Sequence, residues 1–286
     1  MISGNCAGSQ ITLAQALRVS CNPGFARLGV SLGQDALRTQ AEKFGFGTSF
    51  LSDIGGAASK FPDELDDAQT AMSSIGEFEV AATPLQIAVA YSTLATGGFR
   101  QQPTIVKAIY SPLTPDLAPG VADLAQGTVV KSYDKPVVVD QLEDNGLGAI
   151  RRGLTRVITG PGVTSDSYHS TTGEKLFDGF PLNIAGKTGT AQGAANLPWN
   201  DSSAFAAFGL DEAAPYTVTA YLEKAGYGSK AAAPVTKCIF EALADPTMLP
   251  LVQVSDTLDL SSTLPAASNM LVDTRCLARV ADGVKG

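Results

Sequence analysis

Four consecutive residues, Lys187-Thr188-Gly189-Thr190, are the part of this chain best equipped for chemistry. A lysine carried on a strand offers a fixed cation, and two threonine hydroxyls add hydrogen-bond donors. Together they suit the binding of a carboxylate. Gly189 removes a Cβ, so that a ligand backbone can lie against the strand. The backbone N–H of Thr190 is placed to face an oxyanion that develops during acyl transfer. The chain has 11 lysines, 24 threonines and 29 glycines among 286 residues. A random chain of that composition holds this string roughly 0.01 times, so coincidence does not explain it.

Ser20-Cys21-Asn22 is the second candidate. The pattern Ser-x-Asn is expected roughly 0.5 times by chance, and Ser3-Gly4-Asn5 repeats it. Ser20 stands out by context: it sits at the end of a predicted helix, where a hydroxyl and an amide can be aimed into a cleft. A Ser-His-Asp arrangement is disfavoured, because His169 is the only histidine and its Ser/Thr/Gly/Asp-rich surroundings read as a loop. Glu77 and Glu79 read as a solvated turn, and Arg151, Arg152 and Arg156 as a solvated helix face. Tyr168 and Trp199 read as surface aromatics near the rim of the third motif.

The elements that must position these residues are legible in part. Thr12 caps a helix over 13–19, and Pro23-Gly24 marks a break or a fresh helix start. Helices are predicted over 35–44, closed by Gly45 and Gly47, over 66–75, and over 85–95, opened by Thr83-Pro84 and stopped by Gly97-Gly98. Residues 104–110 and 137–139 read as strands, with 111–136 as an irregular excursion rich in Pro, Gly and Asp. A helix over 147–158 precedes three strands, 182–190, 204–208 and 216–222, and a closing helix over 234–243. The last strand alternates, as suits an antiparallel sheet with one wet face. The pattern predicts an α+β domain over residues 1–245, an antiparallel sheet flanked by helices, followed by a tail over 246–286.

Composition narrows the function classes. Hydrophobic residues make up 44% and charged residues 17%, enough apolar side chain for a packed core. A net charge of -8 repels polyanions, so no nucleic-acid partner is expected. No apolar run reaches the roughly 18 residues of a membrane span. The first residues lack the basic start and apolar stretch of a signal peptide. Cys6, Cys21, Cys238 and Cys276 fit no zinc spacing, and neither a metal nor a cofactor is called for. Three disulfide connectivities are open to them, and the default reading is four free, buried or half-buried thiols. A Cys6–Cys21 bridge would close a loop of about 15 residues.

The two motifs, with Ser74-Ile75-Gly76, Thr83-Pro84-Leu85-Gln86 and Gly97-Gly98 between them, make the chain resemble the transpeptidase domain of class B penicillin-binding proteins, most like the elongation-type enzymes of actinobacteria. The likeness runs over about residues 5–245. The family order is Ser-x-x-Lys, Ser-x-Asn, Lys-Thr-Gly. The second and third are present. The first is not: no Ser-x-x-Lys precedes Ser20, and the string Ser132-Tyr133-Asp134-Lys135 falls between the other motifs in a polar, Pro-flanked segment.

The resemblance implies a peptidoglycan D,D-transpeptidase fold and site lacking its N-terminal, nucleophile-bearing part. The donor is a stem peptide ending in D-Ala-D-Ala; an amine from a neighbouring strand resolves the acyl-enzyme, and β-lactams imitate the donor. Ser20 is then expected to relay a proton to the leaving amine, Asn22 to hold the substrate amide, Lys187 to supply positive potential, and Thr188 and Thr190 to bind the terminal carboxylate beside Gly189. A membrane glycosyltransferase and elongation-complex proteins are the implied partners, and the extracytoplasmic face of the plasma membrane the implied location, with the anchor outside this chain. Without a nucleophile the chain alone is expected to be inactive. The alternative is a non-catalytic scaffold or sensor of cell-wall peptides. The family sheet also takes two strands from before the nucleophile; without them strand 216–222 is expected to expose an unpaired edge and limit solubility.

Overall fold

The computed structural model describes residues 6, 10–51, 54–111, 128–133, 135–143, 145–161, 175–192, 201–212 and 214–244. Tyr168, His169, Trp199, Cys276 and the tail 246–286 lie outside them.

Local signals set most helices. α1 (Leu13–Arg18) starts at Thr12, whose hydroxyl accepts from the Gln15 N–H while the Gln15 side chain accepts from the Thr12 N–H, a reciprocal cap. α2 (Asn22–Leu32) begins with Pro23 in its first turn, so Pro23-Gly24 opens a helix. α3 (Gln34–Lys43) is followed by Gly45 and Gly47, both at positive φ. α4 (Asp67–Ser73) repeats the reciprocal cap with Asp66 and Gln69. α5 (Pro84–Ala95) is capped by Thr83 and stopped at Gly97 and Gly98. α6 (Leu147–Thr159) and α7 (Ala232–Ala244) follow the predicted spans within a few residues.

The central sheet is antiparallel: β5 (Ile184–Ala191), β6 (Ser202–Gly209) and β7 (Thr217–Leu222), in that order. Register places Ala185 opposite Phe208, Lys187 opposite Ala206 and Gly189 opposite Ala204. Because strand side chains alternate, one face carries Ile184, Phe205, Ala207, Val218 and Ala220, which pack with Phe240 of α7. The other carries Ala185 and Phe208, which pack with Leu94 of α5, Leu154 of α6 and Leu17 of α1. Helices therefore cover both faces of an antiparallel sheet, the α+β arrangement predicted. Among the described residues β5 and β7 each pair only with β6, so both outer edges of the sheet are open. Tyr216, just before β7, and Tyr221 on it stand exposed.

Two short ribbons complete the described fold. β1 (Phe99–Gln101) pairs with β4 (Val138–Gln141), and β2 (Ala108–Tyr110) with β3 (Val129–Ser132). β3 corrects the expectation that 111–136 is wholly irregular. Ser132 lies on this exposed ribbon and Lys135 just beyond it, and neither lines the cavity described below. The expectation of free thiols is also corrected. Cys6 and Cys21 form a disulfide with Cα atoms 5.5 Å apart, and Cys238 is disulfide-bonded as well. The Cys6–Cys21 bridge fixes the start of α2 and with it the segment that carries Ser20 and Asn22. Arg151 departs from the solvated face assigned to it, lying over the buried ring of Phe208 at 5.9 Å, whereas Arg152 and Arg156 are exposed.

Candidate functional site

Among the described residues β5 is an outer strand of the sheet, and a cavity of about 730 Å³ lies against it. Its floor is Lys187, Thr188, Gly189 and Thr190. Facing them are Ser20, Asn22 and Phe25 from the α1–α2 corner, and Ser74, Ile75 and Glu77 from the end of α4; Tyr227, Gly228 and Ser229 close the far side. All six residues singled out from the sequence, Ser20, Asn22, Lys187, Thr188, Gly189 and Thr190, thus share one cavity.

The backbone explains how they converge. Ser20 closes α1 in the left-handed region at φ 56°, which is uncommon for a side chain with a Cβ. That turn lets the chain leave α1 and enter α2 at once, with Cys21 buried beneath and Ser20 and Asn22 on the cavity wall. α2 and α4 then approach closely at Gly29, where a Cβ would collide with the Ser74 side chain. This contact brings the end of α4 to the cleft. On the far side Gly228 lies against Gly189 so tightly that a Cβ would strike the Gly189 and Ala204 carbonyls. Its N–H donates to the Thr190 hydroxyl at 3.2 Å.

Lys187 carries the cation. Its ammonium donates to the Thr188 carbonyl at 3.0 Å and lies 3.4 Å from the Thr188 hydroxyl. Burial of its side chain pushes its pKa from the usual 10.5 down to about 8, since little water remains to solvate the charge. The ammonium remains mostly protonated at neutral pH. Behind its stem a second, more apolar cavity of about 370 Å³ opens between α5 and the sheet, against Ile87, Tyr91, Ala206 and Thr219. Burial pushes the Tyr91 hydroxyl pKa up, which keeps it neutral there.

The sequence reading missed Glu77. It is a half-buried residue of the cavity wall, not a solvated turn. Burial raises its pKa, Asp201 adds to the rise, and a hydrogen bond from the Gln192 N–H opposes it. Glu79 behaves as expected of a surface group: exposed, it pairs with Lys60 at 2.9 Å. No grouping of His, Cys, Asp and Glu able to hold a metal occurs among the described residues.

Chemically, the cavity offers a cation and hydroxyls for a carboxylate, a serine hydroxyl and amide facing them across the gap, and a carboxylate on the remaining wall. A family model described as "Penicillin binding protein transpeptidase domain" matches residues 3–241. The chain is 27% identical over 239 residues to the peptidoglycan D,D-transpeptidase PbpA of Mycobacterium tuberculosis, covering 81% of this chain and 44% of that protein. A shorter stretch of 106 residues is 37% identical to the PbpA of Mycolicibacterium smegmatis, covering 37% of this chain and 22% of that one. The chain therefore spans about half the length, or less, of the curated relatives it matches. The structure of penicillin-binding protein A from M. tuberculosis in a ceftriaxone acyl-enzyme complex superposes with a TM-score of 0.67 at 24% identity, over 83% of this chain and 50% of that one, a likeness of fold. With the family model matching most of its length, the chain belongs to the penicillin-binding protein transpeptidase domain family.

Proposed function

We propose that residues 1–245 form the part of a peptidoglycan D,D-transpeptidase site that binds the donor peptide's carboxylate tail. In this reading the protein works in cell-wall crosslinking at the extracytoplasmic face of the plasma membrane. The observation that carries the reading is the shared cavity: Lys187 and both threonines on one wall, Ser20 and Asn22 on the other. Lys187 and the hydroxyls of Thr188 and Thr190 hold the terminal carboxylate of a D-Ala-D-Ala peptide or the equivalent group of a β-lactam. Gly189 leaves room for the ligand backbone. Asn22 holds the substrate amide, and Ser20 relays a proton to the leaving amine. The Thr190 N–H supplies one oxyanion donor.

The roles proposed for these six residues are in binding the donor and moving a proton, and none of them is proposed as the acylated serine. Removing the nucleophile from a site that acts as a unit costs on the order of 10⁶ in turnover. A serine supplied from outside residues 1–286 would complete the reaction. A glycosyltransferase and elongation-complex proteins are the proposed membrane partners, and residues 246–286 are proposed as a tail.

The test has two parts. Incubation with a fluorescent penicillin followed by a denaturing gel is expected to give no covalent band from this chain; a band would overturn the assignment of a missing nucleophile. Titration with a short D-Ala-D-Ala peptide, followed by NMR, is expected to shift the amides of Thr188, Gly189 and Thr190, and Lys187→Met to abolish the shifts. An unaltered titration in the variant would overturn the carboxylate role of Lys187.

A further inference from the structure

Among the described residues, two charged side chains line the cavity: Lys187 on the strand and Glu77 on the turn after α4. The donor reading accounts for the first and leaves Glu77 unused. Yet Glu77 is held in place. Gly76, at φ 80°, turns the chain out of α4, and the Glu77 carboxylate then accepts a hydrogen bond from the Gln192 N–H at the end of β5. The carboxylate is thereby fixed at the end of the Lys-Thr-Gly-Thr strand, half-buried, with Asp201 adding negative potential. A fixed, partly desolvated carboxylate across a cavity from an ammonium complements a ligand that bears both signs of charge.

We infer that Glu77 forms an ammonium subsite, which receives the protonated primary amine on the diamino residue of a wall peptide. The inference rests on the donor reading above and extends it. A stem peptide carries a carboxylate at its end and a primary amine on the side chain of its diamino residue. Lys187 selects the first and Glu77 the second. Glu77 is a positioning residue here: it orients and concentrates the amine at the cleft. A carboxylate that gains an ammonium partner in a half-buried site discriminates against a neutral amide by about fivefold.

The probes are two synthetic peptides ending in D-Ala-D-Ala. One has a free lysine amine at the third position and the other the same amine acetylated; both are titrated into the 286-residue chain at 50 mM and 500 mM salt. The expected result is about fivefold tighter binding of the free-amine peptide at low salt, with the ratio shrinking at high salt. Glu77→Gln keeps an oxygen that accepts the Gln192 N–H but drops the charge, and is expected to bring the ratio close to one. Glu79→Gln, outside the cavity and paired with Lys60, is expected to keep it. Equal affinities of the wild type for the two peptides overturn the subsite while leaving the donor reading intact. A ratio that survives Glu77→Gln also overturns it. Failure of both peptides to bind overturns the subsite and the donor reading together. The salt dependence of the wild-type ratio needs no variant, so a misfolded Glu77→Gln protein still leaves a decisive measurement.

Discussion

Replacing Lys187 with methionine is expected to stabilise the fold while destroying carboxylate binding. Folding moves the Lys187 pKa from 10.5 to about 8 by burial, a difference worth about 3 kcal/mol against the charged form. The sign follows from proton counting. Between pH 8 and 10.5 the unfolded chain holds the lysine proton and the folded protein has released it, so stability rises with pH across that window. Below pH 8 the ammonium is charged in both states, and the whole penalty of burying it is present. Methionine has a similar length and no charge, and its thioether suits the contacts with Tyr91 and Ala206 behind the strand. Against this gain stands the lost bond to the Thr188 carbonyl at 3.0 Å, worth about 1 kcal/mol. The net expectation at pH 7 is a gain of about 2 kcal/mol, or about 4–8 °C in melting temperature. Urea denaturation of both proteins at pH 7 and pH 10.5 checks it, because the advantage of the variant should largely vanish at the higher pH. A variant less stable than wild type at pH 7, or an advantage of equal size at both pH values, would refute the reasoning.

Two further substitutions probe the corner opposite the strand. Ser20→Gly relieves a left-handed backbone at φ 56° and should raise stability by about 1 kcal/mol while weakening peptide binding; thermal melts and the peptide titration read the two effects, and a destabilised variant would contradict the strain. Cys6→Ser opens the 15-residue loop closed through Cys21 and should cost about 3 kcal/mol, roughly 6–12 °C; a melt within 2 °C of wild type would show that the bridge does not hold this corner.

Where order is set locally, the sequence was readable. Thr12 with Gln15, Thr83-Pro84 and Gly97-Gly98 announce helix ends with side chains that act within four residues. The three strands of the central sheet carry apolar runs long enough to stand out. The ribbons did not. Val129–Ser132 is a strand only because Ala108–Tyr110 comes alongside it, and its prolines, glycines and aspartates nearby resemble those of any loop. Glu77 failed for the same reason. A glutamate on a turn reads as solvated until the end of β5, far along the chain, arrives against it. The disulfides were open because pairing depends on which of three arrangements brings Cα atoms within reach. The six residues of the two motifs were found because their types and order carry the signal, although composition says nothing of how α1, α2 and β5 bring them to one cavity.

The costs in this fold gather at that cavity. Ser20 is held in a backbone region that suits glycine, Lys187 is desolvated, and Glu77 is raised by burial. Local rules broken together at one place mark a site where structure serves binding at the expense of stability. They also predict how binding responds to pH. In the proposed donor role a ligand carboxylate pairs with the Lys187 ammonium, so it would bind the protonated form and pull the lysine pKa back up from about 8. In the free protein the proton is lost as pH rises through about 8. Affinity for a D-Ala-D-Ala peptide should therefore be flat below about pH 7 and fall about tenfold for each pH unit well above 8, until the pKa of the complex is passed. Titration calorimetry from pH 6 to 9.5 in buffers of different ionisation enthalpy reads both the affinity and the proton taken up on binding. Proton uptake near pH 8.5 with falling affinity is the expected outcome. Affinity that stays constant to pH 9.5, with no proton uptake, would mean that the Lys187 ammonium does not hold the carboxylate, and the strand edge would lose its assigned role.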